Sequence, residues 1–279
     1  MPNALTVDVE DYYQVSAFES VVRRETWASM TSRVEMNVER ILTLLAKQGV
    51  NATFFMLGCV AERAPQLVRQ IAHAGHEVAS HGWQHVRVTQ QSTDEFKQDV
   101  SRTKAVLEDL TGQPVIGYRA ASFSIGRSNL WALDVLADVG YRYSSSIYPV
   151  YHDLYGMPEA PRFSFRVAAG RLLEIPMTTV RVGGRNIPCG GGGYFRLFPY
   201  AFSRWAFKRV NVREGQPAVF YCHPWELDPE QPRIQGIGYK TRFRHYVNLS
   251  KMQGRLQRLL NDFSWDRMDR VFGLRSGLA

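Results

Sequence analysis

Leu5-Thr6-Val7-Asp8-Val9-Glu10-Asp11-Tyr12-Tyr13 runs from β-prone apolar residues straight into three carboxylates within four positions. Such a run reads as a buried strand whose end opens into a polar site. Period-two alternation sends Asp8 and Glu10 to one face and Val7 and Val9 to the other. Two carboxylates on one face repel, so they need a cation, a shared proton or a substrate between them. A metal ion is the simplest answer, because one carboxylate can ligate it while the other stays free as a base. A lone acid there would read as a cap on the following segment; three at one strand end read as a site.

Outward from that strand, the pattern alternates. Val34 to Gln48 carries a helical apolar stripe closed by Gly49, and Asn51 to Leu57 is a short apolar strand. A helix over Ala61–Ala74 leads to a strand at Glu77–Ala79, and a helix over Thr93–Leu110, capped by Thr93, leads to a strand at Val115–Tyr118. Asn129–Val139 (helix), Tyr141–Ser144 and Leu172–Pro176 (strands), Tyr200–Val212 (helix), Pro217–Cys222 (strand) and Leu249–Phe263 (helix) complete the order. Strand and helix alternate with short connections, which argues for parallel strands and an α/β fold. About seven such units in one chain suit a barrel better than an open sheet. Asp8, Glu10, His81, Arg119 and His223 all fall at the C-terminal ends of these strands, the face on which such barrels carry their sites. No repeat or linker divides the chain, so 1–279 reads as one domain with 240–279 as a helical extension packed on it.

The bulk numbers fit this reading. With 279 residues, 45% of them hydrophobic, the chain can bury a full core. Three widely spaced cysteines form neither a zinc pattern nor a disulfide framework. No signal peptide pattern opens the sequence and no apolar run approaches membrane-spanning length, so a cytoplasmic protein is the expectation. The net charge of +8 is spread along the chain, which argues for a solvated basic surface rather than a nucleic-acid partner. That surface points to an acidic or lipid-phosphate-linked glycan and to peripheral membrane proximity.

His81 and His85 are four apart and directly follow a strand. On a helical turn that spacing puts both imidazoles on one side, within reach of one metal ion. Two histidines plus a carboxylate form a hydrolytic zinc set with coordination positions left open. Arg119 follows Val115-Ile116-Gly117-Tyr118, and a buried guanidinium there needs an anion, for which Asp8 is the candidate. His223 ends an apolar strand and is followed by Pro224, which restricts its backbone; imidazole is the side chain most easily tuned to exchange a proton near neutral pH. Trp225 beside it suits stacking on a sugar ring.

Thr6-Val7-Asp8-Val9-Glu10-Asp11, Ser80-His81-Gly82-Trp83-Gln84-His85, Arg119-Ala120-Ala121-Ser122-Phe123 and a late strand ending in His223, taken together, resemble the polysaccharide deacetylases with NodB homology, carbohydrate esterase family 4. The resemblance covers about residues 4–226. Gly191 to Pro199 and His223-Pro224-Trp225-Glu226 resemble the branch associated with exosortase and exopolysaccharide loci. The resemblance implies a distorted (β/α)7-type barrel and a divalent metal, most commonly Zn2+. It implies Asp8 as catalytic base, His81 and His85 as metal ligands, Arg119 as the residue orienting the base, and His223 as catalytic acid. Val9 stands where the family's second adjacent aspartate would ligate the metal, so that role moves to Glu10, with Asp11 as the alternative; strand alternation favours Glu10. Ala121 replaces the usual proline of the third motif. Ser144-Ser145-Ser146 occupies the region of the fourth, so the partner of His223 is left unassigned.

The expected reaction is metal-assisted hydrolysis of N-acetyl groups on a glycan, with a backbone N–H near Phe123 helping to hold the oxyanion. Two rivals stand beside it: a metal-independent amidohydrolase on the same barrel, and a non-catalytic glycan-binding module.

Overall fold

The computed structural model describes residues 1–152 and 155–274. Its strands are β1 (Asn3–Val9), β2 (Thr53–Met56), β3 (Glu77–Ser80), β4 (Gly117–Tyr118), β5 (Tyr143–Ser144), β6 (Phe165–Val167), β7 (Leu172–Glu174), β8 (Thr179–Val182), β9 (Arg185–Pro188), β10 (Val219–Cys222) and β11 (Trp265–Asp266). Seven of them run parallel in the order β10-β1-β2-β3-β4-β5-β7. β6 adds antiparallel to β7, and β11 pairs with the first two residues of β1. β8 and β9 form a separate hairpin. The sheet curls into an incomplete α/β barrel, with β10 and β6 as its hydrogen-bonded ends.

The alternation read in the first stretch runs through the whole sheet. Leu5, Val7 and Val9 join Phe54, Met56, Val78, Phe220 and Cys222 in the layer between strands and helices. Ala4, Phe55, Ala79, Tyr143, Val219 and Tyr221 point the other way and fill the inside of the curl. Parallel strands covered on both faces read as near-continuous apolar runs, which is why β2 and β10 look so uniform in sequence. Fully burying one phenylalanine such as Phe54 is worth about 1.5–3 kcal/mol.

The helices follow the expected order with three local differences. The segment expected as one helix over 61–74 is two, Gly58–Arg63 and Pro65–His73, because the residue before a proline is pushed out of the helical region: Ala64 has φ −126° and ψ 61°. The cap of the helix Thr93–Thr111 is Ser92, not Thr93, in a reciprocal arrangement with Glu95. The glycine run ends in a short helix, Gly192–Leu197, ahead of Tyr200–Lys208.

Residues from 239 onward form the helices Tyr239–Tyr246 and Leu249–Asp262, then β11 and the turn Met268–Val271; residues 275–279 of the expected extension lie outside the described residues. The part from β11 onward closes the barrel at the N-terminal ends of the strands. There the Met268 N–H donates to Thr53 Oγ1, the Asp269 N–H donates to Glu77, and Arg267 clamps Asp269. No helix among the described residues is long and apolar enough to cross a membrane.

Candidate active site

The opposite end of the barrel, at the C-terminal ends of the strands, holds a cavity of about 430 Å³. Asp8, Glu10, His81, His85 and His223 line it, with Tyr221 and Trp225. Arg119 sits directly behind Asp8. All six candidate residues named from the sequence therefore meet in one place.

Asp8 lies on the inward face of β1, two residues beyond Thr6. The fully buried Arg119 donates from Nη1 to Asp8 Oδ1 at 2.6 Å and to Thr6 Oγ1 at 2.8 Å. Its Nε and Nη2 donate to the carbonyl and hydroxyl of Ser145, and its guanidinium lies over the Phe55 ring at 4.1 Å. A guanidinium so held leaves Asp8 almost no orientational freedom. Ser145 is thus the use found for the serine run: it orients the arginine.

Glu10, just past the end of β1, points into the same cavity. Its Oε1 is 3.0 Å from His223 Nε2 and its Oε2 is 3.3 Å from His85 Nε2. Oε2 is buried and accepts no hydrogen bond among the described residues. Burial pushes the Glu10 carboxyl up to about 7, with Asp8 adding to the rise and His223 opposing it. Asp11 turns the other way. It accepts the backbone N–H of Arg33 and Val34 and the hydroxyl of Ser32, and so caps the helix Val34–Gln48, whose own cap position supplies no side-chain bond. Asp11 is spent on the fold, and Glu10 is the carboxylate that faces the histidines.

His81 follows β3, and its Nδ1 is 2.8 Å from the Arg119 carbonyl oxygen. A carbonyl only accepts, so Nδ1 carries the proton and Nε2 is left with its lone pair. Burial holds both His81 and His85 in the neutral form, His85 well below the usual imidazole range, with His81 and His223 adding to its shift. The two rings stand 5.2 Å apart. The turn between them is not helical as the spacing suggested. Gly82 (φ 76°) and His85 (φ 53°) both take left-handed backbone, which folds the segment back on itself. A non-glycine residue in that region stores strain of about 1–3 kcal/mol, a feature that clusters at functional sites.

His223 ends β10. Its Nδ1 is 2.8 Å from Glu226 Oε1, and Glu226 Oε2 accepts from the buried Arg196 Nε at 2.6 Å. Burial alone would raise Glu226, but Arg196 and His223 outweigh it and hold the carboxyl at about 2. For His223 burial pulls downward and Glu10 and Glu226 overcome it, lifting the imidazole to about 9. Arg196 also donates to the carbonyls of His245 and Val247 at the end of the helix that walls the cavity. The His223 ring stacks on Trp225 at 5.0 Å, and Trp225 on His245 at 4.1 Å. Glu226 is therefore the partner the sequence left unassigned. Its spacing of three from His223 was a readable capping signal; nothing local pointed to Arg196.

The expected oxyanion donor near Phe123 is not supplied by Phe123 or Ser124. Their N–H groups donate to the carbonyls of Ala120 and Ala121. Ser122 and Phe123 are both left-handed, at φ 52° and 51°.

By type, Glu10, His81 and His85 fit a divalent cation: two neutral imidazoles and a carboxylate oxygen without a hydrogen bond, all bordering one cavity. Among the described residues no three His, Cys, Asp or Glu side chains are grouped tightly enough to form a ready-made cage.

Residues 26–144 match the profile of the polysaccharide deacetylase family, and residues 145–273 match a domain of unknown function, DUF3473. The first match identifies a polysaccharide deacetylase domain in residues 26–144, the part of the chain that supplies β2 to β5 of the barrel described above. In sequence it is similar to the peptidoglycan-N-acetylglucosamine deacetylase PgdA of Listeria monocytogenes, 39% identical over 72 residues, which are 26% of this chain and 16% of that protein. The chain spans well under half the length of the curated relatives it matches. In fold it is similar to a polysaccharide deacetylase from Mycobacterium smegmatis, with TM-score 0.62 and 20% identity over 98% of this chain and 90% of that one. It is also similar to Puue allantoinase, with TM-score 0.61 and 15% identity over 99% and 91%. At these identities the two structures speak to the fold alone.

Proposed function

We propose that this chain is a metal-dependent hydrolase that removes N-acetyl groups from a polysaccharide or oligosaccharide. One observation carries the reading. A carboxylate fixed by a buried arginine, two neutral imidazoles, a carboxylate oxygen lacking a hydrogen bond and a carboxylate-backed imidazole all border one cavity. A binding module has no use for that combination. The motif resemblance supports an exopolysaccharide as the polymer, and the family's habit supports Zn2+ held by Glu10, His81 and His85.

A bound divalent ion would polarise the acetamide carbonyl and make a bound water more acidic. Arg119 occupies Asp8 Oδ1 and leaves Oδ2 to take the proton of the attacking water. His223, held through Nδ1 by Glu226, presents Nε2 to the cavity and delivers a proton to the departing amine. Trp225 and Tyr221 offer apolar walls to a sugar ring.

Asp8→Asn keeps the size of the side chain and removes the base. It is expected to lower acetate release from N-acetylglucosamine oligomers by about 10²–10⁴ while metal content and fold persist. Wild-type turnover in that variant would sink the assignment. A metal-independent amide hydrolysis is favoured by a different observation, the direct contacts of Glu10 with His85 and His223. Activity that survives exhaustive chelation would select it.

A further inference from the structure

Lysines and arginines recur along the whole chain, but the excess is not spread along it as expected: from Ile175 to Arg213 there are seven Lys and Arg and no Asp or Glu, while elsewhere the two signs almost cancel. Two of the seven are used within the fold: Arg196 binds Glu226, and Arg204 binds Asp262. Arg181, Arg185, Lys208 and Arg213 are exposed.

The same stretch carries an unusual apolar surface. Tyr194, Phe198, Phe202 and Trp205 form a chain of touching rings, with centroids 6.1, 4.9 and 5.8 Å apart. Arg209 lies over the far end, 5.8 Å from the Trp205 ring. Trp205 is 44% exposed, Leu197 43% and Val212 80%. Phe202, Trp205 and Arg209 fall at i, i+3 and i+7, one stripe of the helix that starts at Tyr200. The hairpin β8–β9 packs against this helix through Val180, Cys189 and Ala206, with Ile187 and Phe202 alongside. Its tip is Arg181-Val182-Gly183-Gly184-Arg185, and Val182, on the same strand face as Val180, is 47% exposed.

We infer that this face docks onto the surface of an anionic phospholipid bilayer. Exposed aromatic and aliphatic side chains bracketed by cations, on a stretch of chain that itself carries no acid, are the chemistry of a helix that lies in the headgroup region. A soluble anionic glycan would use the cations but leave Leu197, Val182 and Val212 without a partner. The ring chain begins immediately after the glycine run packed against Glu226 and Tyr221, so a docked molecule carries its catalytic cavity close to the bilayer. The inference does not depend on which reaction the cavity performs.

The test is co-sedimentation of the purified full chain with vesicles of equal parts phosphatidylglycerol and phosphatidylcholine, and with phosphatidylcholine alone. Binding to the first, weakened by salt, and little to the second is expected. In Arg181→Ala/Arg185→Ala and in Lys208→Ala/Arg213→Ala each removed cation should weaken binding roughly fivefold. Trp205→Ala and Val212→Ser should weaken it at constant charge. These positions are exposed, and thermal melts confirm that the variants are folded. No binding of the wild type to the anionic vesicles overturns the proposal. So does binding that all four variants retain, which would put the contact elsewhere. Equal affinity for dextran sulfate, unaffected by Trp205→Ala, would assign the face to an anionic polysaccharide and also overturn it.

Discussion

Gly192 offers the cleanest way to disturb the candidate acid without touching it. A Cβ built there would lie 2.5 Å from Glu226 Oε2 and 2.6 Å from its Cδ, and still closer to Oε1, when ordinary contact begins at 3.4 Å. The backbone at Gly192 has no left-handed strain, so Gly192→Ala acts only through that overlap. A flexible side chain would step aside, but Glu226 is fully buried and both its oxygens are engaged, by His223 at 2.8 Å and Arg196 at 2.6 Å. The carboxylate must shift by about 1 Å, and charge-assisted hydrogen bonds of this kind are worth about 1.5–3 kcal/mol each. A misplacement of that size near the chemistry costs about 100-fold in rate. Since Glu226 does not line the cavity, the loss should fall on kcat with KM little changed, measured as acetate release from N-acetylated oligosaccharides. Gly193→Ala is the control: its Cβ would meet nothing within 4 Å, and the variant should behave as wild type. Gly192→Ala should also add little to Glu226→Gln, because both act on one interaction. Wild-type kcat in Gly192→Ala, or equal damage from Gly193→Ala, would refute the claim that Glu226 positions His223.

Glu10 and Asp11 should separate cleanly. Glu10→Gln is expected to lower metal content, measured by elemental analysis, with little effect on stability; Asp11→Ala should keep its metal and lose about 1–2 kcal/mol of stability through the uncapped helix. His76 predicts an acid-sensitive component of stability. Its Nδ1 accepts the Ala52 N–H at 3.1 Å, and burial, with Arg267 nearby, lowers the imidazole from 6.5 to about 4. A depressed folded-state pKa means that this contribution is whole above pH 6.5 and is lost as pH falls towards 4, up to about 3 kcal/mol. Urea midpoints of the wild type and His76→Asn, compared across that window, should converge on the acid side; parallel curves would remove His76 from the account.

How much of this was legible depends on the range of the rule involved. Period-two alternation is local and strong, so Thr6, Asp8 and Glu10 were separable from Val7 and Val9 by counting, and the recurrence of polar residues at strand ends gave the barrel its rim. The spacing of His81 and His85 was a sound pointer to proximity and a poor one to conformation, since two left-handed residues bring the rings together as well as a helical turn would. Asp11 carried two readings, ligand or cap, and the cap reading holds across a separation of more than twenty residues. Arg196 is the instructive omission. It stands in a segment rich in glycine and aromatics, thirty positions before the carboxylate it holds, and only the packing of the helix Gly192–Leu197 against β10 and the 239–246 helix connects them.

The two matched profiles divide the chain at residues 144 and 145, yet neither segment holds the whole set of candidate residues. His81, His85 and Arg119 lie in the first segment, and His223, Glu226 and Arg196 in the second. Asp8, on β1, and Glu10, just past its end, precede both. That strand is hydrogen-bonded on one side to β2 of the first segment and on the other to β10 of the second, and it receives β11 at its start. The carboxylates are therefore carried by the seam that holds the two segments in one sheet. The buried Arg119 of the first segment finds its anion, Asp8, on β1, and the ring nitrogen of His223 in the second segment faces Glu10, just past the end of that strand. The segment of unknown function is by this argument part of the same barrel, contributing the wall that carries His223 and the residues, Glu226 and Arg196, that orient it.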